Sequence, residues 1–315
     1  MTSDSYVMTV RGPVSPEAIG FTLPHEHIYI QLSEIHARFD YPFLLDDDEV
    51  LAEELGYFTA SGGTTVVELT LADMGRDPER LRSISERTGL NIVMGSGWYR
   101  QPYYRPQDLL EKRPVRDLAE SLVREIREGA DGTGIRPGVI GEIGVHRGWV
   151  TPIEERAHRA AARAQVATGL PMITHSTSSQ VAREQLTIFE DEGVDLTRVV
   201  VGHADSYPHL WYYLELIERG ASLAFDNIGE QAGRLEERIA GLTRDLVDRG
   251  HADRIMLSQD ICKHPQLRYH GGQGYAYVAE RFLPRLRGMG IPESVIRQIT
   301  EGNPRRWLTI PGGTD

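Results

Sequence analysis

The chain has 315 residues, 40% hydrophobic and 25% charged, a globular composition long enough to bury a core, which excludes a disordered or collagen-like protein. Its 46 acidic residues outnumber 34 Lys and Arg, giving a net charge of −12 that opposes non-specific attraction to nucleic acid or anionic membranes. The opening MTSDSYVMTVRGPV carries no charged-then-apolar leader, and no stretch approaches the ~18 apolar residues of a membrane span, so a cytoplasmic protein is expected.

In chain order, short runs rich in Val, Ile and Thr alternate with helical segments. FTLPHEHIYI from Phe21 reads as the first strand, and DDDEVLAEELGYFTA, with acids in its first turn, as the helix after it. TTVVELT from Thr64, NIVMGSGWY from Asn91 and GVIGEIGV from Gly138 read as the next three strands. A helix follows over TPIEERAHRAAARAQVATG, which starts Thr-Pro and ends at Gly169. PMITHS from Pro171, VVVGHAD from Val199, SLAFDN from Ser222 and IMLSQDI from Ile255 complete eight strands. Near-continuous apolar strands imply burial on both faces, and the alternation favours a (β/α)8 TIM barrel as a single domain over 1–315. An open doubly wound sheet would more often show a glycine-rich phosphate loop after its first strand, where this chain has Pro24-His25-Glu26-His27.

A buried parallel strand needs a reason to carry a polar side chain, and each exception falls near a strand's C-terminal end. These are His25 and His27 on strand 1, Glu142 on strand 4, His175 on strand 5, His203 on strand 6 and Asp260 on strand 8. In a barrel those ends open onto one mouth. Alternation places His25 and His27 on one face and Glu26 on the other. An HxH pair alone also suits histidines satisfied in a polar pocket, but the conjunction of four histidines and two carboxylates points to metal. Imidazole and carboxylate without thiolate suit Zn²⁺, Mn²⁺, Co²⁺ or Fe²⁺. Six ligands exceed one tetrahedral zinc site, so two divalent ions sharing a bridging carboxylate fit better, and such a pair is a hydrolase's apparatus.

HxH on strand 1, the acid on strand 4, single histidines on strands 5 and 6 and the aspartate on strand 8 resemble the amidohydrolase superfamily. TLPHEH, GEIG, ITHS, VVGHAD and LSQD resemble its phosphotriesterase-related branch, a similarity that runs to GNPRRWL near the C-terminus. The resemblance implies that His25, His27 and Asp260 hold the more buried ion, that His175 and His203 hold the other, and that Glu142 bridges them. It also implies that Asp260 accepts the proton of a bridging hydroxide, with zinc as the expected metal and a homodimer as the expected assembly. The branch contains phosphotriesterases, lactonases and carboxylic ester or amide hydrolases.

Two positions depart from well-known members. Glu142 stands where they carry a carbamylated lysine, and the only lysines here are Lys112 and Lys263. Asn227 stands at the end of strand 7, where lactonases of the acyl-homoserine type carry arginine and efficient phosphotriesterases histidine. The expected reaction is hydrolysis of a lactone, carboxylic ester or related acyl substrate. The alternatives are phosphotriester hydrolysis and a metal-binding protein with little catalysis.

Trp98, Tyr99, Tyr103 and Tyr104 follow strand 3, where the family shapes a substrate pocket, and ordinary loop packing is the competing reading. Asn227, Lys263 and Arg268 complete the substrate-contact candidates; Lys263, His264 and Arg268 follow strand 8, where they could meet an anionic substrate, with solvated loop charges as the commoner case. Asp205 is a candidate to orient a ligand imidazole or to cap a helix. Cys262, the only cysteine, reads as a small buried hydrophobe, with a reactive thiol as the alternative.

Overall fold

The structure is a computed structural model that describes residues 5–32, 43–230 and 233–312. The first four residues of the N-terminal segment read above lie outside them. Eight parallel strands form one sheet in chain order: β1 (Phe21–Glu26), β2 (Gly63–Glu68), β3 (Asn91–Ser96), β4 (Val139–Gly144), β5 (Met172–His175), β6 (Val199–Gly202), β7 (Ser222–Phe225) and β8 (Ile255–Leu257). Helices α1 (Asp48–Ala60), α2 (Pro78–Thr88), α3 (Val115–Glu128), α4 (Pro152–Thr168), α5 (Ala182–Asp191), α6 (Leu210–Glu218) and α7 (Arg234–Asp248) connect them. This is the (β/α)8 architecture expected from the alternation. Among the described residues, no helix is long and apolar enough to cross a membrane.

Local chemistry sets the helix ends. Asp47 caps α1 by accepting from the N–H groups of Glu49 and Val50, so Asp46 falls outside the helix. Thr151 and Glu154 form a reciprocal capping box at the start of α4, and Gly169 ends that helix at φ 69°.

The barrel closes between β8 and β1 beyond the ends of the regular strands. The N–H of Asp260 donates to the His25 carbonyl at 3.3 Å, and that of His27 to the Ile261 carbonyl at 3.2 Å. Glu26, on the opposite face from the histidines, is wholly buried in this seam. Its carboxylate accepts from the N–H groups of Gln259 at 2.9 Å and Ile261 at 2.8 Å. The middle residue of the HEH triplet thus holds the seam that positions both its neighbours and Asp260.

At the other end of the barrel, Val67, Val93, Val139, Ile173, Val200, Ala224 and Met256, one from each of β2 to β8, pack with Trp307 and Leu308. The Trp307 indole N–H reaches the carbonyls of Met172 at 3.3 Å and Arg198 at 3.2 Å. This plug makes the N-terminal face a stability element, and truncation of such a buried Trp typically costs about 3–5 kcal/mol. The C-terminal face is left for chemistry.

Candidate metal centre

Strand β1 supplies His25 and, one residue past its end, His27. Glu142 lies within β4, and His175 is the last residue of β5. His203 directly follows β6 and Asp260 lies three residues past β8, so both fall beyond the strands rather than on them. Each adopts a left-handed backbone, with φ of 54° and 51°. Positive φ is uncommon for non-glycine residues and is held only where the surroundings demand it. Here it accompanies a side chain turned into the barrel mouth.

All six candidate ligands converge. His25 Nε2 lies 3.3 Å from Glu142 Oε2 and 3.7 Å from Asp260 Oδ1. His27 Nε2 lies 3.4 Å from Glu142 Oε1 and 3.2 Å from Asp260 Oδ1. On the other side, Glu142 Oε2 lies 2.7 Å from His175 Nδ1 and 3.5 Å from His203 Nε2. Glu142 therefore presents one oxygen to His27 and the other to His25, His175 and His203, as a bridging carboxylate must.

The donor set fits metal on two counts. Tetrahedral ligands at the usual zinc bond lengths stand ~3.4 Å apart, the spacing seen around His25, His27 and Asp260. His25 Nε2, fully buried and facing the cluster, has no hydrogen-bond partner, as a donor reserved for a cation would have none. Three groups, His25–His27–Glu142, His25–His203–Asp260 and Glu142–His175–His203, each bring their ligand atoms within 4.8 Å of one another.

The electrostatics demand positive charge. Burial disfavours ionisation of His25, but Glu142 and Asp226 overcome it and push the imidazole up to about 10. His27 rises to about 9 because hydrogen bonding to Asp260 and Glu142 outweighs its burial. Burial likewise opposes the ionised forms of Glu142 and Asp260, yet the surrounding histidines hold both carboxyls below their ordinary range. His175 behaves oppositely: burial drives it down to about 4 despite Glu142, leaving a neutral imidazole suited to ligation.

Asp226, just after β7, is the functional residue that the sequence reading missed. Its carboxylate lies 2.7 Å from His25 Nδ1 and 2.8 Å from His203 Nδ1, so both rings turn Nε2 to the centre. The signal was present in AFDN, an acid ending an apolar strand as His203 does after VVVG.

The remaining candidates divide. The Tyr99 ring packs edge-on against His175 at 4.8 Å and lies 5.1 Å from the Tyr103 ring. Trp98 and Tyr103 are buried in the main core. Asn227 donates its N–H and its amide to Asp205, at 2.8 and 2.7 Å. This corrects one expectation, for Asp205 braces Asn227 while Asp226 orients the His203 ring. Lys263 pairs with Glu230 at 2.7 Å. Arg268 stacks over Tyr57 of α1 at 4.7 Å and pairs with Glu280. Cys262 is free and buried, and burial pushes its thiol well above the ordinary range, the behaviour of an inert hydrophobe.

The sequence profile of the Phosphotriesterase family matches residues 5–308. The chain belongs to the phosphotriesterase family. The phosphotriesterase homology protein of Escherichia coli, in a crystal structure with phosphate in its active site, is 35% identical and superposes with a TM-score of 0.88 over 92% of this chain and 99% of that one. A lactonase from Listeria monocytogenes is 28% identical, with a TM-score of 0.91 over 97% of this chain and 99% of that chain. The N-acetyltaurine hydrolase of Rattus norvegicus is 31% identical over 346 residues, 96% of this chain and 98% of the relative. Membership of this phosphotriesterase family makes the chain a metal-dependent hydrolase, with the cluster above as its candidate metal-binding residues.

Proposed function

We propose that this chain hydrolyses an acyl bond, in a lactone, carboxylic ester or related acyl compound, with Asp260 as the proton acceptor. The observation that carries the choice of proton acceptor is the asymmetry of the two site carboxylates. The side chain of Glu142 is 2% exposed and that of Asp260 14%, so Asp260 is the more open of the pair to the mouth. Bound there, two divalent cations, zinc by preference, supply Lewis acidity to a carbonyl oxygen and acidify water.

The chain's own groups do the rest. Asp260 Oδ1 is held 3.2 Å from His27 Nε2, and its lowered pKa keeps it ionised at neutral pH, the unprotonated state that a proton acceptor needs. Gln266 donates to the Asp260 carbonyl at 3.1 Å and steadies the left-handed turn. In the net reaction the acyl bond breaks, the water oxygen joins the carbonyl carbon, and its proton passes through the Asp260 carboxylate to the leaving oxygen or nitrogen.

Acyl chemistry is supported by a lactonase and an N-acetyltaurine hydrolase among the relatives, and by the neutral, committed Asn227 at the end of β7. Phosphotriester hydrolysis is the second reading, favoured by the phosphate in the Escherichia coli relative. The deciding experiment profiles the metal-loaded protein against lactones, carboxylic esters, N-acyl amino acids and phosphotriesters. Acyl compounds should show the higher kcat/KM, and the reverse ranking establishes the second reading instead.

A further inference from the structure

The loop after β3 places a cation, Arg100, beside the centre. Gly144, the last residue of β4 and the register partner of His175, packs so tightly under this loop that a Cβ there would stand 2.4 Å from the Tyr99 carbonyl and 3.3 Å from Arg100 Cβ. Only glycine permits that approach, and it pins the root of the Arg100 side chain against the barrel rim. The guanidinium carbon then lies 4.9 Å from the Tyr99 ring centre and 5.2 Å from that of Tyr103. Since the Tyr99 ring also packs against His175, a single tyrosine ring separates the guanidinium from the metal-site histidine.

This arginine lacks a counter-anion. Arg76 pairs with Glu125 and Asp131, Arg105 with Asp108, and Lys263 with Glu230. No carboxylate among the described residues pairs with Arg100, and its buried Nε–H has no hydrogen-bond partner. Half-burying a charge that has no carboxylate partner is costly, and the two aromatic rings and the hydrogen bond with Tyr103 offset only part of that cost. A half-buried planar guanidinium that shares a hydrogen bond with Tyr103 but has no carboxylate partner, beside a hydrolytic centre, matches the fork geometry that binds carboxylates and other oxyanions.

We infer that Arg100 is a specificity-determining residue that binds an anionic group of the substrate, so that the hydrolysed acyl compound carries a carboxylate or sulfonate remote from the scissile bond. The inference rests on the acyl-hydrolase reading for what is cleaved, but its test reads binding and does not depend on turnover.

Calorimetry on the metal-loaded Asp260→Asn protein compares N-acetylglycine with its neutral analogue N-acetylglycinamide. The measured quantity is the ratio of their affinities, which is insensitive to any misfolded fraction. With Arg100 present the anion should bind ~10-fold or more tightly than the amide, the scale of a charge-assisted hydrogen bond. The ratio should fall towards one in Arg100→Met and recover in part in Arg100→Lys, which restores charge without the planar fork. A ratio near one with Arg100 present, or a preference retained in Arg100→Met because the metals themselves hold the anion, overturns the inference. Failure of every acyl compound in the panel would instead refute the acyl-hydrolase reading, leaving the binding ratio to decide Arg100.

Discussion

Asp226 holds His203 at two points. Its carboxylate accepts from the ring at Nδ1 at 2.8 Å and from the backbone N–H of the same residue at 3.0 Å, so one acid fixes both the left-handed turn and the ring orientation of a candidate metal ligand. The second oxygen does the same for the His25 ring at 2.7 Å.

Asp226→Asn removes an acceptor and turns an amide N–H toward a donor. Loss of such an orienting partner typically costs about 10- to 100-fold in metal affinity. We expect a folded variant with weaker metal binding whose activity is partly restored by excess metal. Competition with a chelating dye measures this, and an unchanged affinity would remove Asp226 from the centre.

Asp260→Asn keeps the shape of the side chain but not its basicity. Because general-base contributions are typically about 10²- to 10⁴-fold, kcat should fall by ~10² or more while much of the metal is retained. Steady-state kinetics with parallel metal analysis separates the two effects, and an unchanged kcat contradicts the proton-acceptor role.

Glu142→Gln tests the bridge. Glu142, Asp226 and Asp260 are the negative charges that face the buried histidines, and neutralising the central one leaves two close cations poorly compensated. Metal content should drop from two ions per chain towards one, and activity should come to depend on added metal. A folded variant that holds two ions tightly would show that Glu142 does not bridge.

His158 of α4 carries a pH dependence unrelated to catalysis. Its Nδ1–H donates to the Glu154 carbonyl at 2.7 Å and its Nε2 accepts from the Gln185 amide at 2.9 Å, a pattern that only the neutral ring satisfies. Burial lowers its pKa from 6.5 to about 4. Between those values the unfolded chain binds the extra proton, so this group's contribution is intact above pH 6.5 and is lost as pH falls towards 4, by at most about 1.4 kcal/mol per pH unit. Denaturant unfolding of the wild type and His158→Gln should show a stability gap that narrows from about pH 7 to about pH 5. A constant gap would mean that His158 does not titrate in this range.

What the sequence by itself determined was the alternation of buried strands with capped helices, and with it the barrel, because apolar periodicity and capping residues are local properties. It also determined the six candidate ligands: a charged or imidazole side chain ending a run such as VVVG or MIT must be explained wherever the strand lies, and a barrel brings all such ends to one mouth. Relations between strands were decided only by tertiary structure. Asp226 was not legible as the partner of His25, 201 positions away in sequence, since it serves rings on two other strands and its own segment reads the same whether it faces a histidine or solvent. Asn227 and Arg268 had the residue types of substrate contacts, but their pairing with Asp205 and Glu280, which come from separate elements, was set only by the fold. Arg100 was silent for the converse reason: an arginine in a loop is ordinarily solvated, and only the packing of Gly144 beneath it and of two tyrosines around it leaves its charge half-buried and without a carboxylate partner beside the centre.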